Sequence, residues 1–455
     1  MKRTIFFILT IIFAGTAFAS VGEQEVTQVL QSFKLKNADV GVYAVAMPGG
    51  KVLMDVNKDE PLNPASCMKL VTSAVALRTL GANYQFPTKF YLSGNDLWVR
   101  GFGDPSFVIE RMEVLVARLI ASGLPRSIGN IYVDDSYFGD SDYPGRQRRS
   151  KRAYNAPTGA LSINHSAITV EALPSGKIGA PPIVNTDAPG LIIENKAKTS
   201  AKRTRGSIRI SRVYTKRGDT VFVSGHAPIG STGKKIYFNV ARPAEHFGMI
   251  LKALLAEKGV NITGEVLEDR LPQSARFIYE DRSSPLYEVL KDMNKFSSNF
   301  MAEQITKVIG AAKLGEPGTT EKGTAVSEDY LKSLGATDFF VENGSGLSYR
   351  NRLSARDLFL VMKDIYDDPR LRNHYVDSLS VAGEDGTLRR AKSGWLNGRL
   401  KAKTGSLNGV STLAGFLPDG NKTIVFVVFL NGNRVDFWTG RRVSQKIAET
   451  LLDMK

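Results

Sequence analysis

The spacing of hydrophobic residues predicts a hairpin and a helix near the N-terminal end of the chain. Residues 40–45 and 52–56 are mostly apolar and rich in β-branched side chains, and the turn sequence Met-Pro-Gly-Gly lies between them. This pattern predicts two antiparallel strands. From about Ser66 to Leu80 the apolar residues recur at helical spacing, and Gly81 follows. We therefore expect a helix that begins near Ser66 and ends at Gly81.

The C-terminal end shows the same combination of strands and helix. Residues 410–416 and 423–430 are apolar runs separated by Pro-Asp-Gly-Asn, a turn sequence. A last amphipathic helix is predicted from Val443, Ile447 and Leu451. Strands at both chain ends with helices between them favour one α/β (α+β) domain that the two termini close.

The middle of the chain has a different pattern, with short strand-like segments separated by turns. Residues 96–100, 131–133 and 220–223 are examples. We interpret residues 83–275 as a mostly β inserted region, and whether it forms one or two subdomains stays open at this point. The remainder, residues 20–82 and 276–455, is expected to form the main domain.

The first 19 residues have the features of a secretory signal peptide. Lys2 and Arg3 precede the nine-residue apolar run 5–13, and Ala17-Phe18-Ala19 is a small-x-small cleavage signal. The run is too short to span about 30 Å of hydrocarbon, and no later segment reaches 18 consecutive apolar residues. We therefore expect cleavage before Ser20, export to the periplasm, and no stable membrane insertion afterwards.

Composition and net charge limit the kinds of molecule and cofactor that the chain is expected to bind. Sixty Lys and Arg against 45 Asp and Glu give a net charge of +15, or +13 without Lys2 and Arg3. Nucleic acid is not expected as a partner of an exported chain, whereas cell-wall polymers and lipid headgroups are polyanions available outside the cytoplasm. The single cysteine excludes an intramolecular disulfide, and the four histidines lack metal-ligand spacing. No metal or other cofactor is expected.

Three short motifs carry the candidate chemistry. In chain order they are Ser66-Cys67-Met68-Lys69, Ser297-Ser298-Asn299 and Lys403-Thr404-Gly405-Ser406. Each one alone matches many sequences by chance, as a helix cap or the end of an edge strand. Their joint occurrence in this order, each in a suitable predicted element, indicates a serine acyl-transfer enzyme.

The first motif provides a nucleophile and its base. A serine hydroxyl attacks efficiently only when a base accepts its proton. Lys69 lies one helical turn after Ser66, so the two side chains share a face. Lysine can act as this base if burial and a nearby cation lower its pKa from about 10.4, and Lys403 is the natural second cation.

The second and third motifs provide the remaining groups. Ser297 can relay a proton between Lys69 and the leaving amine, and Asn299 can hydrogen-bond a substrate amide. Lys403, Thr404 and Ser406 can bind a terminal carboxylate on an edge strand. The backbone N–H groups of Ser66 and Ser406 are expected to form the oxyanion hole. The predicted catalytic residues are thus Ser66, Lys69 and Ser297.

The chain resembles the class C low-molecular-mass penicillin-binding proteins, the D-alanyl-D-alanine carboxypeptidase/endopeptidase family. Besides the three motifs, the similar blocks are residues 101–105, 133–138, 160–164, 343–348, 381–388 and 413–416. The resemblance implies a transpeptidase/β-lactamase-like domain, with an antiparallel sheet flanked by helices and a large insertion after the first motif. It also implies serine-type hydrolysis of peptidoglycan stem peptides and crosslinks, with β-lactams as inhibitors that acylate Ser66.

The sequence departs from the family pattern at positions linked to recognition of diaminopimelate. Arg149 replaces an acidic residue, and Tyr349 stands where an arginine is common. Tyr154 keeps the aromatic character of its position, and Asn408, an expected substrate-binding residue, replaces a common glutamine. Because the acidic partner of the substrate amine is missing there, we hypothesise tolerance of crosslinked or modified stem peptides.

Two alternatives stay open from the sequence. A serine β-lactamase would share the three motifs, but it needs a dedicated deacylation base, for which the chain offers no clear candidate. A wall-binding protein without catalytic activity could keep the fold. Rapid penicillin turnover would favour the first alternative, and failure of Ser66 to react with penicillin would favour the second.

Overall fold

The computed structural model describes residues 21–216, 218–391, 394 and 396–454. The predicted signal peptide lies outside these residues. Within the described ranges, no helix is both long enough and apolar enough to cross a membrane.

Ten α-helices occur in the described part of the chain. They are α1 Glu23–Ser32, α2 Met68–Leu80, α3 Ile109–Ala121, α4 Pro243–Glu257, α5 Leu286–Lys295, α6 Asn299–Leu314, α7 Thr320–Ser333, α8 Ala355–Asp367, α9 Pro369–Val376 and α10 Phe437–Thr450. Short 3₁₀ turns occur at Ala65–Cys67, Ala153–Asn155, Asn164–Ser166 and Gly386–Leu388.

The strands of the first half of the chain are short. They are β1 Asp39–Met47, β2 Lys51–Val56, β3 Pro87–Ser93, β4 Asp96–Gly101, β5 Ser127–Ile128, β6 Ile131–Asp134, β7 Ala167–Leu173, β8 Ile183–Thr186, β9 Ile192–Asn195, β10 Lys198–Ser200, β11 Arg209–Thr215, β12 Gly218–Ser224 and β13 His226–Pro228. The later strands are β14 Lys234–Asn239, β15 Asn261–Ile262, β16 Val266–Glu268, β17 Arg276–Arg282, β18 Ser380–Val381, β19 Lys401–Leu407, β20 Val410–Asp419 and β21 Lys422–Asn431.

The main domain is built on a six-stranded sheet in the order β18-β19-β20-β21-β1-β2. Every neighbouring pair in it is antiparallel. The predicted hairpin forms β1 and β2, and the predicted C-terminal strands form β20 and β21. The N-terminal strand β1 pairs with β21 along its whole length, so the two ends of the chain complete one sheet. The predicted fold class, an antiparallel sheet flanked by helices, is confirmed.

Helices cover both faces of this sheet, as the side chains of β21 show. Val425, Val427 and Phe429 belong to the core that contains α2, α5, α6 and α8. The intervening residues, including Phe426 and Val428, belong to a second core with α1 and α10. Because both faces are buried, β21 reads as a continuous apolar run rather than an alternating one.

The inserted region follows α2 and has a hydrophobic core of its own. Its largest sheet has the strand order β16-β6-β4-β3-β17. The region also contains two three-stranded sheets, with the orders β11-β12-β9 and β14-β7-β8. Strand β17 begins at Arg276, where the sequence predicts the return to the main domain, yet it pairs with β3 over residues 276–282. We therefore propose that the inserted region extends to about residue 282.

Candidate active site

Ser66 lies where a short 3₁₀ turn continues directly into α2. The turn is Ala65–Cys67, and α2 begins at Met68. Ala65 has a φ of +43°, a left-handed conformation that costs energy in a residue with a Cβ. This sharp turn places Ser66 at the helix N-terminus, and Lys69 follows one turn later with its Nζ 3.2 Å from Ser66 Oγ.

Lys69 is fully buried, and the oxygen atoms that its Nζ contacts among the described residues are all neutral. Besides Ser66 Oγ, Nζ donates to Asn299 Oδ1 at 2.9 Å and to the carbonyl oxygen of Ser345 at 2.6 Å. Asn299 is the first residue of α6, so this bond joins the first and second motifs. The three acceptors hold the amine beside the nucleophile.

The surroundings of Lys69 favour its neutral form. Burial lowers the pKa of Lys69 well below its usual value, and the positive charge of Lys403 lowers it further. Glu303 acts in the opposite direction on this pKa, and so does Cys67. A lysine whose pKa is lowered in this way gives up its own proton more readily and can then accept the proton of Ser66.

Lys403 joins the third motif to the second. This residue of β19 is also fully buried, and its Nζ donates to Ser297 Oγ at 2.8 Å and to the carbonyl oxygen of Thr404 at 2.7 Å. Burial lowers the pKa of Lys403 to about 8. Ser297 has a left-handed φ of +55°, and the chain turns there before Ser298 caps α6. A strained backbone at a polar residue is frequent in active sites.

Gly405 allows β19 to lie directly against the nucleophile turn. A Cβ at this position would be 2.2 Å from Thr412 Oγ1 and 2.8 Å from the backbone nitrogen of Ser66. The sequence predicts a role for this glycine in substrate approach. The structure shows, in addition, that it lets the strand of the third motif reach the amide of Ser66.

The other residues of β19 lie further from Lys69. Thr404 Oγ1 donates to Thr387 Oγ1 at 2.8 Å, and the side chains of Thr404 and Ser406 line a small cavity beside α10. Asn408 is exposed in the turn after β19, and its backbone N–H donates to the hydroxyl of Tyr349 at 3.2 Å. The structure thus gathers Ser66, Lys69 and Asn299 in one cluster, with Ser297 and Lys403 beside it, and Asn408 at the periphery.

Cys67 adjoins the nucleophile but is closed off from solvent. Its thiol donates to the carbonyl oxygen of Lys403 at 3.3 Å, and burial raises the pKa of the thiol. A buried thiol with a raised pKa is a poor nucleophile. Cys67 therefore acts as a small core residue that ties the nucleophile turn to β19.

Two residues that the sequence analysis did not assign to the site complete the surroundings of Lys69. Ser345 accepts from Lys69 through its carbonyl and donates its N–H to Glu303 Oε1 at 2.9 Å. Glu303 is fully buried on α6, and its Oε2 has no partner among the described residues. The spacing of Glu303 four residues after Asn299, on the same helix face, is the signal that could have identified it.

A cleft with a volume of about 640 Å³ leads from the motif residues toward the inserted region. Residues from both parts line it, among them Tyr154, His165, Asp292, Phe296, Ser297 and Asn299. Tyr154 is 52% exposed, and Arg149 is an exposed residue. The volume of the cleft lies within the range of ligand-binding clefts.

Comparison with known proteins agrees with this geometry. The sequence model of the family described as D-Ala-D-Ala carboxypeptidase 3 (S13) matches residues 23–453. A D-alanyl-D-alanine carboxypeptidase of Actinomadura sp. (strain R39) is 29% identical over 441 residues, which cover 90% of this chain and 81% of that protein.

The fold matches solved structures of one bacterial protein. Penicillin binding protein 4 (dacB) of Haemophilus influenzae has a TM-score of 0.78 at 24% identity, with 94% of this chain and 99% of that chain covered. Its complex with a β-lactam has a TM-score of 0.74 at 22% identity, with the same coverage. The resemblance that the motifs indicate is thereby confirmed.

Proposed function

Because the chain belongs to the D-Ala-D-Ala carboxypeptidase 3 (S13) family, we propose that Ser66 is the nucleophile and Lys69 the base of a serine-type D-alanyl-D-alanine carboxypeptidase. One observation carries this assignment. The Nζ of a fully buried lysine with a lowered pKa lies 3.2 Å from the hydroxyl oxygen of a serine at a helix N-terminus. This is the geometry of an activated nucleophile.

In the acylation step, Lys69 accepts the proton of Ser66 while Oγ attacks the carbonyl carbon between the two D-alanines. The backbone N–H groups of Ser66 and Ser406 stabilise the negative charge on the carbonyl oxygen. The C–N bond then breaks, and the proton from Lys69 passes through Ser297 to the leaving amine. Lys403, which donates to Ser297 Oγ at 2.8 Å, orients this hydroxyl for the transfer.

In the second step, water hydrolyses the ester on Ser66. Lys69 accepts a proton from the water, the ester C–O bond breaks, and Ser66 recovers its hydrogen. Asn299 holds Lys69 through its Oδ1 at 2.9 Å during both steps and offers its amide N–H₂ to the substrate. Thr404, Ser406 and Lys403 bind the terminal carboxylate, and Asn408 contacts the stem peptide at the rim.

The same chemistry accounts for endopeptidase activity on crosslinks. Only the leaving amine differs, because it then belongs to a second peptide rather than to free D-alanine. The cleft of about 640 Å³ beside Ser297 gives room for a branched stem. Arg149, in place of an acidic residue, supports tolerance of stems whose free amine is modified or crosslinked.

We further propose that the enzyme acts in the periplasm after removal of residues 1–19, and that β-lactams acylate Ser66. Peptidoglycan is the substrate, and it lies outside the cytoplasmic membrane. A β-lactam resembles the D-Ala-D-Ala end and leaves an ester on Ser66 that hydrolyses slowly.

The decisive experiment incubates the mature protein with purified peptidoglycan and separates the released products. Free D-alanine and resolved crosslinks are expected from the wild type, and neither from S66A. A parallel reaction with fluorescent penicillin should give a long-lived adduct on Ser66. Rapid turnover of the penicillin would instead indicate a β-lactamase, and absence of both labelling and products would indicate a non-catalytic wall-binding protein.

A further inference from the structure

Arg441 of α10 is a partly buried cation without a carboxylate partner. Its guanidinium donates to the carbonyl oxygen of Thr387, and among the described residues no Asp or Glu forms an ion pair with it. Burial lowers the pKa of Arg441, and no acidic side chain offsets that effect. A guanidinium withdrawn from water is stabilised when an anion binds to it.

Other cations near the site do have such partners. Lys401, two residues before Lys403 on β19, pairs with Asp377 at 2.6 Å. Lys295, at the end of α5, pairs with Asp385. Arg441 therefore differs from its neighbours, although the guanidinium group is well suited to bidentate binding of a carboxylate.

The free side of Arg441 lines a small cavity between α10 and β19. We call this the α10 cavity; its volume is about 70 Å³, and its polar lining includes Thr404, Ser406, Ser411, Arg441 and Ser444. Ser444 is only 2% exposed, and its hydroxyl has no hydrogen-bond partner in the described structure. A buried, unpartnered hydroxyl beside an unpaired guanidinium indicates a place for a small polar group.

Thr387 connects the α10 cavity to the third motif through two hydrogen bonds. Its hydroxyl accepts from Thr404 Oγ1 at 2.8 Å, and its carbonyl accepts from Arg441. Thr387 thus links the guanidinium of Arg441 to the hydroxyl of Thr404. A carboxylate bound there, with the Thr404 hydroxyl turned from Thr387 towards it and Ser406 donating as well, would lie close to the positive charge of Arg441.

We infer that Arg441 binds the C-terminal carboxylate of the substrate together with Thr404 and Ser406, with the α10 cavity as the binding site. This inference rests on the proposed function, because it takes the peptide to end in a free carboxylate. It makes Arg441 a specificity-determining residue that favours carboxypeptidase substrates over neutral analogues.

A matched pair of thioesters tests the inference. Both carry the same N-acyl-D-alanyl group, and the leaving group is mercaptoacetate in one and the neutral mercaptoacetamide in the other. For R441Q we expect kcat/KM to fall about 10- to 100-fold on the acid thioester, as for loss of a charge-assisted hydrogen bond. The amide thioester should lose less than about threefold. R441K should keep part of the preference, because it retains the charge but not the planar fork.

Arg442 provides the control, because it is the next residue on α10 and is exposed, with its guanidinium 5.5 Å from the ring centre of Phe33. R442Q should keep the wild-type ratio between the two thioesters. Equal losses of R441Q on both thioesters, or an unchanged ratio, would overturn the inference. If the wild type hydrolysed neither thioester and failed to react with penicillin, the proposed function itself would be wrong.

Discussion

Buried cations have carboxylate partners in the inserted region, but they have neutral partners in the candidate active site. In the inserted region, Arg212 pairs with Asp219, and both side chains are less than 10% exposed. Arg111 is held between Asp104 and Asp281. In the candidate active site, by contrast, the partners of Lys69 and Lys403 in the part of the chain that the structure describes are hydroxyl, amide and carbonyl oxygens.

This difference corresponds to two roles of buried cations, one in stability and one in the proposed catalysis. A buried cation with a carboxylate partner stays charged and holds two segments together. A buried amine with neutral partners loses its proton more easily, because burial destabilises the charged form and so lowers the pKa. In the inserted region these charges hold segments together, whereas in the candidate active site burial lowers the pKa of both amines.

The largest effect is expected from removing the nucleophile. S66A should lower D-alanine release by a factor on the order of 10⁴ or more, because no covalent intermediate can form. Product analysis after digestion of stem peptides measures this loss. The melting temperature should stay close to that of the wild type. Residual activity within tenfold of the wild type would show that another group attacks the peptide.

A substitution can give Lys69 a carboxylate partner like those of the buried arginines in the inserted region. In N299D a carboxylate replaces the amide oxygen that lies 2.9 Å from Lys69 Nζ. An opposite charge at this distance raises a lysine pKa by roughly 1–3 units, so Lys69 should stay protonated at neutral pH. We expect kcat/KM at pH 7 to fall about 10- to 1,000-fold and the acid limb of its pH profile to move upward.

The control for N299D is the rate at high pH. Activity should recover as the pH rises through the new pKa of Lys69, up to the point where Lys403, with a pKa of about 8, loses its own proton. A uniform loss at all pH values would mean that Asn299 acts by contacting substrate and not through Lys69.

The inserted region should respond in stability rather than in rate. D219A leaves Arg212 buried without its carboxylate, which should cost about 3–5 kcal/mol of unfolding free energy. Urea denaturation of the mature protein measures the cost. The matched control is E288A, which breaks the exposed pair with Lys291 and should cost less than about 1 kcal/mol. A fall in kcat/KM at temperatures where D219A is folded would contradict the division of roles.

The smallest effect is expected at Glu303. Its carboxylate raises the pKa of Lys69, so E303Q should lower that pKa. Because the proposed mechanism needs neutral Lys69, the acid limb of kcat/KM should move to lower pH, while the alkaline limb stays in place. The isosteric amide oxygen can still accept from the N–H of Ser345. A pH–rate profile measures the shift, and an upward movement of the acid limb would reverse the assigned sign.

Local and periodic features were predictable from the sequence. The hairpin of β1 and β2, helix α2 and strands β20 and β21 have strong hydrophobic patterns and clear turn sequences. The three motifs were recognisable because each reaction step needs its own residue type. The fold class of the main domain followed from the same elements.

Long-range partners were not predictable in the same way. Its spacing on α6 could group Glu303 with Asn299, but its partner Ser345 is 42 residues away, and a glutamate inside a helix normally indicates a solvated face. The segment of β17 looks like any short strand, and its sheet is set by pairing with β3, far away in sequence. Arg441 resembles an ordinary surface residue of an amphipathic helix until α10 is placed beside β19.

The pairing of β1 with β21 has a consequence for folding. The first strand of this pair ends at Met47, and the second begins only at Lys422. The central sheet therefore cannot form until these two distant segments meet, whereas the intervening segment, with its separate core, can fold earlier. Such high contact order slows folding. A fragment without β21 would leave β1 and β2 unpaired with the part of the sheet that carries the third motif on β19.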